Sequence, residues 1–298
     1  MKGRLARQVT VIVMFELLTE KIQKLQNPTV MGLDPRIEYV PEHMREGKSA
    51  AQAVYEFNCG LIDCCADLVP AVKPQAAYYE LLGLEGIEVL YKTMEYAKKA
   101  GMFVILDAKR GDIGATSTAY AEAYLSEGCP ADALTVNPYL GSDGVKPFLD
   151  VAKASGKAIF TLVKTSNPSS SELQDIVADG ETIYRKMAGL VKAWGEEYGI
   201  GEDGYTSCGA VVGATHPAQL IELREYLPNT FFLVPGYGAQ GGKAEDIIPA
   251  YGKNHGGVIV NSSRTLMCAY KKSADPTGKS YKDATRAAVL AMKEELWK

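Results

Sequence analysis

Eight short apolar runs recur along the 298 residues, and this repetition constrains the fold more than any other feature. They occupy residues 29–33, 68–73, 103–107, 133–137, 158–163, 209–213, 231–235 and 257–261. Unbroken apolar runs are typical of parallel strands that are buried on both faces. Between them lie segments with apolar positions every three or four residues, such as 88–100 and 217–226, which predict helices. The chain is therefore predicted to alternate strand and helix eight times.

This alternation, spread over about 270 residues, predicts a single (β/α)8 TIM barrel, a fold of typically about 250 residues. A doubly wound open sheet is the alternative, because both folds share the strand–helix pattern. No linker composition divides the chain. We therefore expect two parts: an N-terminal extension and helix over residues 1–28, and a barrel catalytic domain over 29–298.

Composition excludes several classes of partner. A formal net charge of −4 provides no basic surplus for a nucleic-acid polymer, and no apolar run approaches the ~18 residues that cross a bilayer. The six cysteines form no CxxC pair and have no zinc-like spacing to the three histidines, so we expect reduced thiols and no metal site. Lys2, Arg4 and Arg7 precede an apolar run in the manner of a signal peptide, but no small-residue cleavage site follows. The expectation is a cytoplasmic protein with a small-molecule ligand and no membrane association.

Polar residues stand where the predicted strands end. The first three strands end in Asp34, in Lys73, and in Asp107 with Lys109, and the fourth and fifth end in Asn137 and in residues 164–166. In a barrel, polar residues at the carboxyl ends of strands are typical of catalysis, because the strand interior must be apolar. Convergence of these charges on one face predicts the active site.

The densest group is Asp107-Ala-Lys109-Arg-Gly-Asp112. In an extended segment, residues two apart share a face, so Asp107 and Lys109 are predicted to point together into the site. Two carboxylates near a lysine keep its amine protonated, and a charged lysine is a general acid that can protonate a carbanion. The alternative interpretation is a solvated charged loop.

A glycine-rich segment, residues 234–242, follows the seventh predicted strand, and Gly236, Gly238 and Gly241 match GxGxxG. A dinucleotide fingerprint would open the first βαβ unit and meet an acidic residue about 20 positions on, whereas Asn261 stands there. A phosphate site is the better interpretation, because barrels commonly bind phosphate in the loops after strands seven and eight. A helix from about residue 243 and the Arg264 guanidinium would add positive charge.

Together these residues resemble the orotidine 5'-phosphate decarboxylase family. The matching motifs are Gly32-Leu-Asp34, Lys73, Asp107-x-Lys109-x-x-Asp112-Ile113, Gly236-x-Gly-Ala-Gln240-Gly-Gly242 and Arg264. Related phosphosugar barrels share the DxKxxD pattern alone, so the ordered set carries the resemblance. The length and the 162–168 segment look like the longer bacterial branch of the family.

The resemblance implies decarboxylation of orotidine 5'-monophosphate to uridine 5'-monophosphate and CO₂, without metal or organic cofactor, in de novo pyrimidine biosynthesis. Lys109 would protonate C6 of the pyrimidine, Asp107 would lie beside the departing carboxylate, and Lys73 and Asp112 would complete the catalytic charges. The chain would form a homodimer in which the partner supplies Asp112 and Thr116. The remaining substrate-binding roles fall to Asp34 and Lys73 for the ribose, Ile113 within the shared motif, Ser166 or Thr165 for the pyrimidine, Gln240 for base and phosphate, and Gly241, Gly242 and Arg264 for the phosphate.

Two other functions fit parts of the pattern. A hexulose-phosphate synthase or keto-acid phosphate decarboxylase shares DxKxxD but uses Mg²⁺ and lacks the Gln240 pattern. A catalytically silent phosphosugar-binding barrel would not need the costly charges at Asp107, Lys109 and Asp112.

Overall fold

The computed structural model describes residues 14–238 and 240–298 and contains a closed barrel of eight parallel strands beside one small hairpin. The barrel strands are β1 (Thr29–Leu33), β2 (Ala71–Pro74), β3 (Phe103–Arg110), β4 (Ala133–Val136), β5 (Ala158–Lys164), β8 (Cys208–Val212), β9 (Phe232–Val234) and β10 (Val258–Ser262), and the hairpin strands are β6 (Val177–Ala178) and β7 (Glu181–Thr182). β10 pairs in parallel with β1 and closes the ring. The predicted (β/α)8 barrel is thereby confirmed, and the open-sheet alternative was wrong.

Helices precede, connect and follow the strands, and those that connect them lie on the outside of the barrel. They are α1 (Met14–Leu25), α2 (Glu42–Arg45), α3 (Ala50–Cys65), α4 (Ala76–Glu80), α5 (Gly83–Lys99), α6 (Gly114–Leu125), α7 (Ser142–Ala154), α8 (Ile183–Tyr198), α9 (Pro217–Tyr226), α10 (Ala244–Ile247), α11 (Arg264–Met267) and α12 (Tyr281–Leu296). The helix predicted over 217–226 has those bounds. None of these helices is long and apolar enough to cross a membrane within the residues described.

Most predicted strands lie within two residues of their observed bounds, and the exceptions have local causes. β2 begins at Ala71 rather than at residue 68. Pro70 precedes it and has no N–H to donate, although its carbonyl accepts from Phe103 N–H. β3 runs three residues beyond its predicted end, to Arg110, and this extension carries Lys109.

The amino-terminal end of the barrel is closed by α1. Phe15, Leu18 and Ile22 of this helix are fully buried with the side chains that fill the barrel interior. The Phe15 ring lies 5.0 Å from that of Phe160 and 4.9 Å from that of Phe231, between ring centroids. Residues 1–13 of the expected extension, and with them most of the signal-peptide-like pattern, lie outside the described residues. The carboxyl end of the barrel is left open for the site.

Candidate active site

A cavity of about 790 Å³ lies at the carboxyl ends of the barrel strands. Its wall is drawn from residues that are far apart in the chain, from Asp34 to Arg264. Eight of the expected site residues line it, namely Asp34, Lys73, Asp107, Lys109, Thr165, Ser166, Gln240 and Arg264. The closed barrel therefore brings together most of the predicted site.

An ion-paired cluster stands at the ends of β2 and β3. Asp107 Oδ2 lies 2.6 Å from Lys73 Nζ, and Asp107 Oδ1 lies 2.6 Å from Lys109 Nζ. The Lys73 and Asp107 side chains are 5% and 8% exposed, whereas that of Lys109 is 46% exposed. One carboxylate thus holds two ammonium groups, of which the outer one reaches the open cavity.

The charges of this cluster are stabilised by one another. Burial disfavours the ionised carboxylate, but the ammonium groups of Lys73 and Lys109 outweigh it and hold the pKa of Asp107 well below its usual range. Burial likewise disfavours the Lys73 ammonium, and the carboxylates of Asp107 and Asp34 reverse this and raise the pKa of Lys73. Asp107 is therefore a carboxylate, and Lys73 an ammonium, at neutral pH.

Lys109 reaches Asp107 by a route that differs from the predicted alternation of an extended strand. The pairing of β3 with β4 slips between Leu106 and Arg110, as in a β-bulge, and Lys109 has a φ of +46°. A left-handed backbone is unusual for a lysine and is typical of functional sites. The two side chains meet as expected, but the bulge aims them rather than the regular pleat.

Thr135 also lines the cavity, although it was not among the predicted site residues. Its hydroxyl donates to Asp107 Oδ1 at 2.9 Å and accepts from the Lys109 N–H at 2.9 Å, so it fixes both the carboxylate and the bulged backbone. It is the polar residue within the apolar run of β4 and is 1% exposed. A lone polar residue inside a buried strand was the available signal.

Of the five expected site residues that do not line the cavity of their own chain, three lie close together in the sequence. They are Asp112, Ile113 and Thr116, which lie just before and at the start of α6. Asp112 Oδ1 accepts the N–H of Ile113 at 2.8 Å, and the Ile113 side chain is 53% exposed. Within a single chain the charged cluster therefore consists of Lys73, Asp107 and Lys109.

Left-handed backbone explains the GxGxxG pattern after β9. Gly236 and Gly241 have φ values of +98° and +100°, which L-residues with side chains rarely adopt. The N–H groups of Gly241 and Gly242 donate within the loop, to Gly238 O at 3.0 Å and Gly236 O at 3.1 Å. Neither glycine lines the cavity, so these amides do not point at a ligand in this conformation.

Arg264 carries the positive charge at this side of the cavity. It is exposed, and within residues 14–238 and 240–298 its guanidinium forms no ion pair or hydrogen bond. The helix expected from about residue 243 spans only Ala244–Ile247, a single turn whose dipole is small. Positive charge at this side of the cavity therefore comes from the arginine more than from a helix end.

Ser166 and Thr165 stand at the end of β5, and their hydroxyls differ in availability. Thr165 Oγ1 donates to Asn167 Oδ1 and accepts from Gln174 Nε2, both at 2.7 Å. Ser166 Oγ has no hydrogen-bond partner within the described ranges. Ser166 Cβ and Gln240 Oε1 lie 3.2 and 3.4 Å from the point where a Cβ on Gly236 would stand. Ser166 and Gln240 are therefore neighbours, and the Ser166 hydroxyl is free to meet a ligand.

Asp34 completes the polar wall beside β2. Its Oδ1 is buried and has no hydrogen-bond partner among the described residues, although the Asp34 charge acts on Lys73. Asn261, which also lines the cavity, has a buried Oδ1 in the same state. Buried acceptors without donors are costly, so a hydrogen-bond donor of a ligand in the cavity would stabilise either atom.

The closed barrel, with an ion-paired Lys–Asp–Lys cluster and Arg264 in one cavity at the carboxyl ends of its strands, places the chain among the (β/α)8-barrel enzymes. The family model described as "Orotidine 5'-phosphate decarboxylase / HUMPS family" matches residues 30–275, and the chain belongs to this family. A protein named orotidine 5'-phosphate decarboxylase from Rhodopirellula baltica is 45% identical over an alignment of 294 residues, which covers 94% of this chain and 97% of that protein.

Solved structures agree with this assignment. A structure described as a putative orotidine 5'-phosphate decarboxylase from Streptomyces avermitilis superposes with a TM-score of 0.80 at 31% identity, and the match covers 99% of this chain and 98% of that one. The UMP synthase of Leishmania donovani gives 0.75 at 34% identity. That match covers 95% of this chain but only 57% of the longer synthase chain.

Proposed function

We propose that this protein decarboxylates orotidine 5'-monophosphate to uridine 5'-monophosphate and CO₂ in pyrimidine biosynthesis, without a metal or organic cofactor. The observation that carries the proposal is the Lys73–Asp107–Lys109 cluster in the same cavity as Arg264. The names of relatives at up to 45% identity support the substrate. As part of this proposal, residues 29–298 are the barrel catalytic domain, and residues 1–28 are an N-terminal extension and helix.

Lys109 is the proton donor in this proposal. When the bond between C6 and the carboxylate breaks, its electron pair stays on C6 and CO₂ leaves, and the ring offers no adjacent electron sink. An ammonium fixed near C6 interacts more strongly with this carbanion than with the ground state, which lowers the barrier. The proton passes from Lys109 Nζ to C6, and solvent reaches the half-exposed amine to restore it.

Asp107 and Lys73 prepare that step. Asp107 holds Lys109 by a 2.6 Å ion pair. It also stands beside the departing carboxylate, where repulsion between the two carboxylates raises the energy of the bound substrate and disappears when neutral CO₂ forms. Lys73 keeps Asp107 ionised and, with Asp34, binds the ribose hydroxyls. Asp112 and Thr116 of the partner subunit complete the site of a homodimer, with Ile113 at the same boundary. Their position outside the cavity of their own chain supports this part.

The base and the phosphate are bound on the other side of the cavity. Ser166 is the pyrimidine contact rather than Thr165, because the Thr165 hydroxyl is already engaged by Asn167 and Gln174. Gln240 bridges base and phosphate, and Arg264 is the main phosphate ligand. Contacts from the amides of Gly241 and Gly242 require that the loop release their internal hydrogen bonds when phosphate binds. We place the enzyme in the cytoplasm.

The test follows the absorbance of the orotate ring after orotidine 5'-monophosphate is added to purified protein in EDTA. We expect the absorbance to fall as the carboxylate is lost, at the same rate with and without the chelator. No change in absorbance would refute the proposed reaction. Activity that EDTA abolishes and Mg²⁺ restores would favour the metal-dependent phosphosugar enzymes that share the DxKxxD motif.

A further inference from the structure

Lys164 is a buried cation for which the proposed reaction gives no role. Its side chain is 0% exposed at the end of β5, yet it does not line the cavity, whereas its neighbours Val163 and Thr165 do. The pairing of β5 with β8 slips between Leu162 and Lys164, as in a β-bulge. A bulge reverses the direction of the side chains that follow it, so Lys164 points away from the ligand space.

The partners of Lys164 belong to the segment that follows β5, residues 165–182, here named the β5 loop. Lys164 Nζ lies 2.6 Å from Asp175 Oδ1 and 3.5 Å from Ser170 Oγ. It also lies 5.5 Å from the ring centroid of Tyr184, in the first turn of α8. A buried ammonium without a counter-charge is unstable, so Lys164 holds Asp175, and with it the loop, against the barrel.

A second link runs beside the first. Thr165 N–H donates to Gln174 Oε1 at 2.9 Å, and Gln174 Nε2 donates to Thr165 Oγ1 at 2.7 Å. Two consecutive residues in the middle of the loop, Gln174 and Asp175, thus bind the first residue of the loop, Thr165, and the last residue of the strand, Lys164. The next residue along the chain is Ser166, which lines the cavity and whose hydroxyl has no hydrogen-bond partner in the part of the chain that the structure describes.

We propose that Lys164 is a positioning residue for recognition of the base. Through Asp175 it fixes the β5 loop so that Ser166 is held at the place where it meets the pyrimidine. This inference rests on the proposed function, in which Ser166 is the base contact. Because Arg264 and Gln240 lie on other segments, loss of the Lys164 link weakens binding of the base and leaves binding of the phosphate intact.

The test compares UMP with ribose 5-phosphate, which carries a hydroxyl in place of the base, by titration calorimetry on the full chain. Methionine matches the length of lysine without its charge, so Lys164→Met opens little space. We expect UMP to bind roughly tenfold more weakly, the loss when one hydrogen bond is misaligned, while the affinity for ribose 5-phosphate stays within about twofold. The matched control is Lys186→Met, which removes an exposed ion pair with Asp179 in the same loop and should change neither affinity.

Asp175→Asn supplies the second arm of the experiment. It should weaken the binding of UMP as Lys164→Met does. The double variant should bind UMP as tightly as the weaker-binding single variant, because the two residues act as one link. If Lys164→Met fails to fold, Asp175→Asn breaks the same ion pair from its more exposed side, and its affinities for the same two ligands decide the proposal.

The possible results separate the two proposals. Equal losses for UMP and ribose 5-phosphate would show that Lys164 only supports the barrel, and unchanged UMP affinity would remove any positioning role. A wild-type protein that fails to decarboxylate orotidine 5'-monophosphate would refute the proposed function. A selective loss of UMP affinity in the variants of such a protein would still uphold the positioning role.

Discussion

The two ends of the same barrel are built from opposite chemistry. At the amino-terminal end, Phe15 of α1 packs between Phe160 and Phe231, and all three side chains are fully buried. At the carboxyl end, Lys73 and Asp107 are buried almost as completely, although both are charged. Burial of apolar surface stabilises the first end, whereas loss of the hydration of its ions destabilises the second end.

The difference teaches where stability and chemistry reside in this molecule. Replacing a buried ion pair by apolar residues is often neutral or stabilising, so the charged cluster is weak evidence for a structural role. Its cost is tolerated at the end of the barrel that faces the ligand. Substitutions at the two ends should therefore separate cleanly into effects on turnover and effects on unfolding.

The largest effect is expected for Lys109→Ala. Removal of the ammonium deletes both the charge that stabilises the carbanion and the proton donor, so kcat should fall by roughly 10³-fold or more. UMP should still bind, because Arg264 and Ser166 are intact. Steady-state decarboxylation and calorimetry with UMP are the two measurements, and turnover close to wild type would remove Lys109 from its role.

A matched control lies at the other end of the barrel. Lys98 pairs with the buried Asp132 at 2.7 Å, and its side chain is 36% exposed, close to the value for Lys109. Lys98→Ala should leave kcat within about twofold of wild type, since it removes a comparable ion pair far from the cavity. An equal loss of turnover in both variants would mean that the effect of Lys109→Ala is structural.

Phe15→Ala should show the converse pattern. Truncation of a fully buried phenylalanine that packs against two other rings should lower the free energy of unfolding by about 3–5 kcal/mol. In urea unfolding the midpoint should fall, while kcat and KM at 25 °C should stay near those of wild type. Lys24→Ala, on the exposed side of the same helix, should change the unfolding free energy by less than about 0.5 kcal/mol.

A loss of turnover in folded Phe15→Ala protein would contradict the separation of the two ends. It would show that the packing below the barrel controls the geometry of Lys109 above it. Unchanged stability would instead show that α1 is not part of the core.

Sequence patterns predicted the strands and the polar residues at their ends, because these follow a regular period. They did not predict the side-chain directions at single residues where the strand pairing is irregular. The apolar runs located the strands, and polar residues at their ends located Lys73, Asp107 and Lys109, because a barrel interior must be apolar. The bulges at Lys109 and Lys164 were not foreseeable, since a slip of register depends on how two distant strands pair. As a result, Lys164 was grouped with the polar strand ends although it points away from the cavity.

The glycine-rich loop shows the same limit. Its spacing indicated a phosphate site, and the positive φ values explain why glycines stand there. The pattern could not show that the amides of Gly241 and Gly242 are engaged within the loop, because that depends on the fold of the loop as a whole. Thr135 was missed for a related reason, since a lone threonine in an apolar run is a signal whose meaning depends on its neighbours across the sheet, here Asp107 and Lys109.

The smallest effect is expected for Arg264→Ala, which tests whether the exposed arginine has a binding role rather than a structural one. Loss of a charge-assisted contact to phosphate should raise KM by at least roughly tenfold, with a smaller change in kcat. Calorimetry should show weaker binding of UMP and unchanged binding of uridine, which lacks the phosphate. Because Arg264 forms no ion pair within the described residues, the free energy of unfolding should stay within about 0.5 kcal/mol. Unchanged KM and kcat would refute the assignment of Arg264 as a phosphate ligand. A loss of stability would show that Arg264 has a structural role, although it lies at the carboxyl end of the barrel.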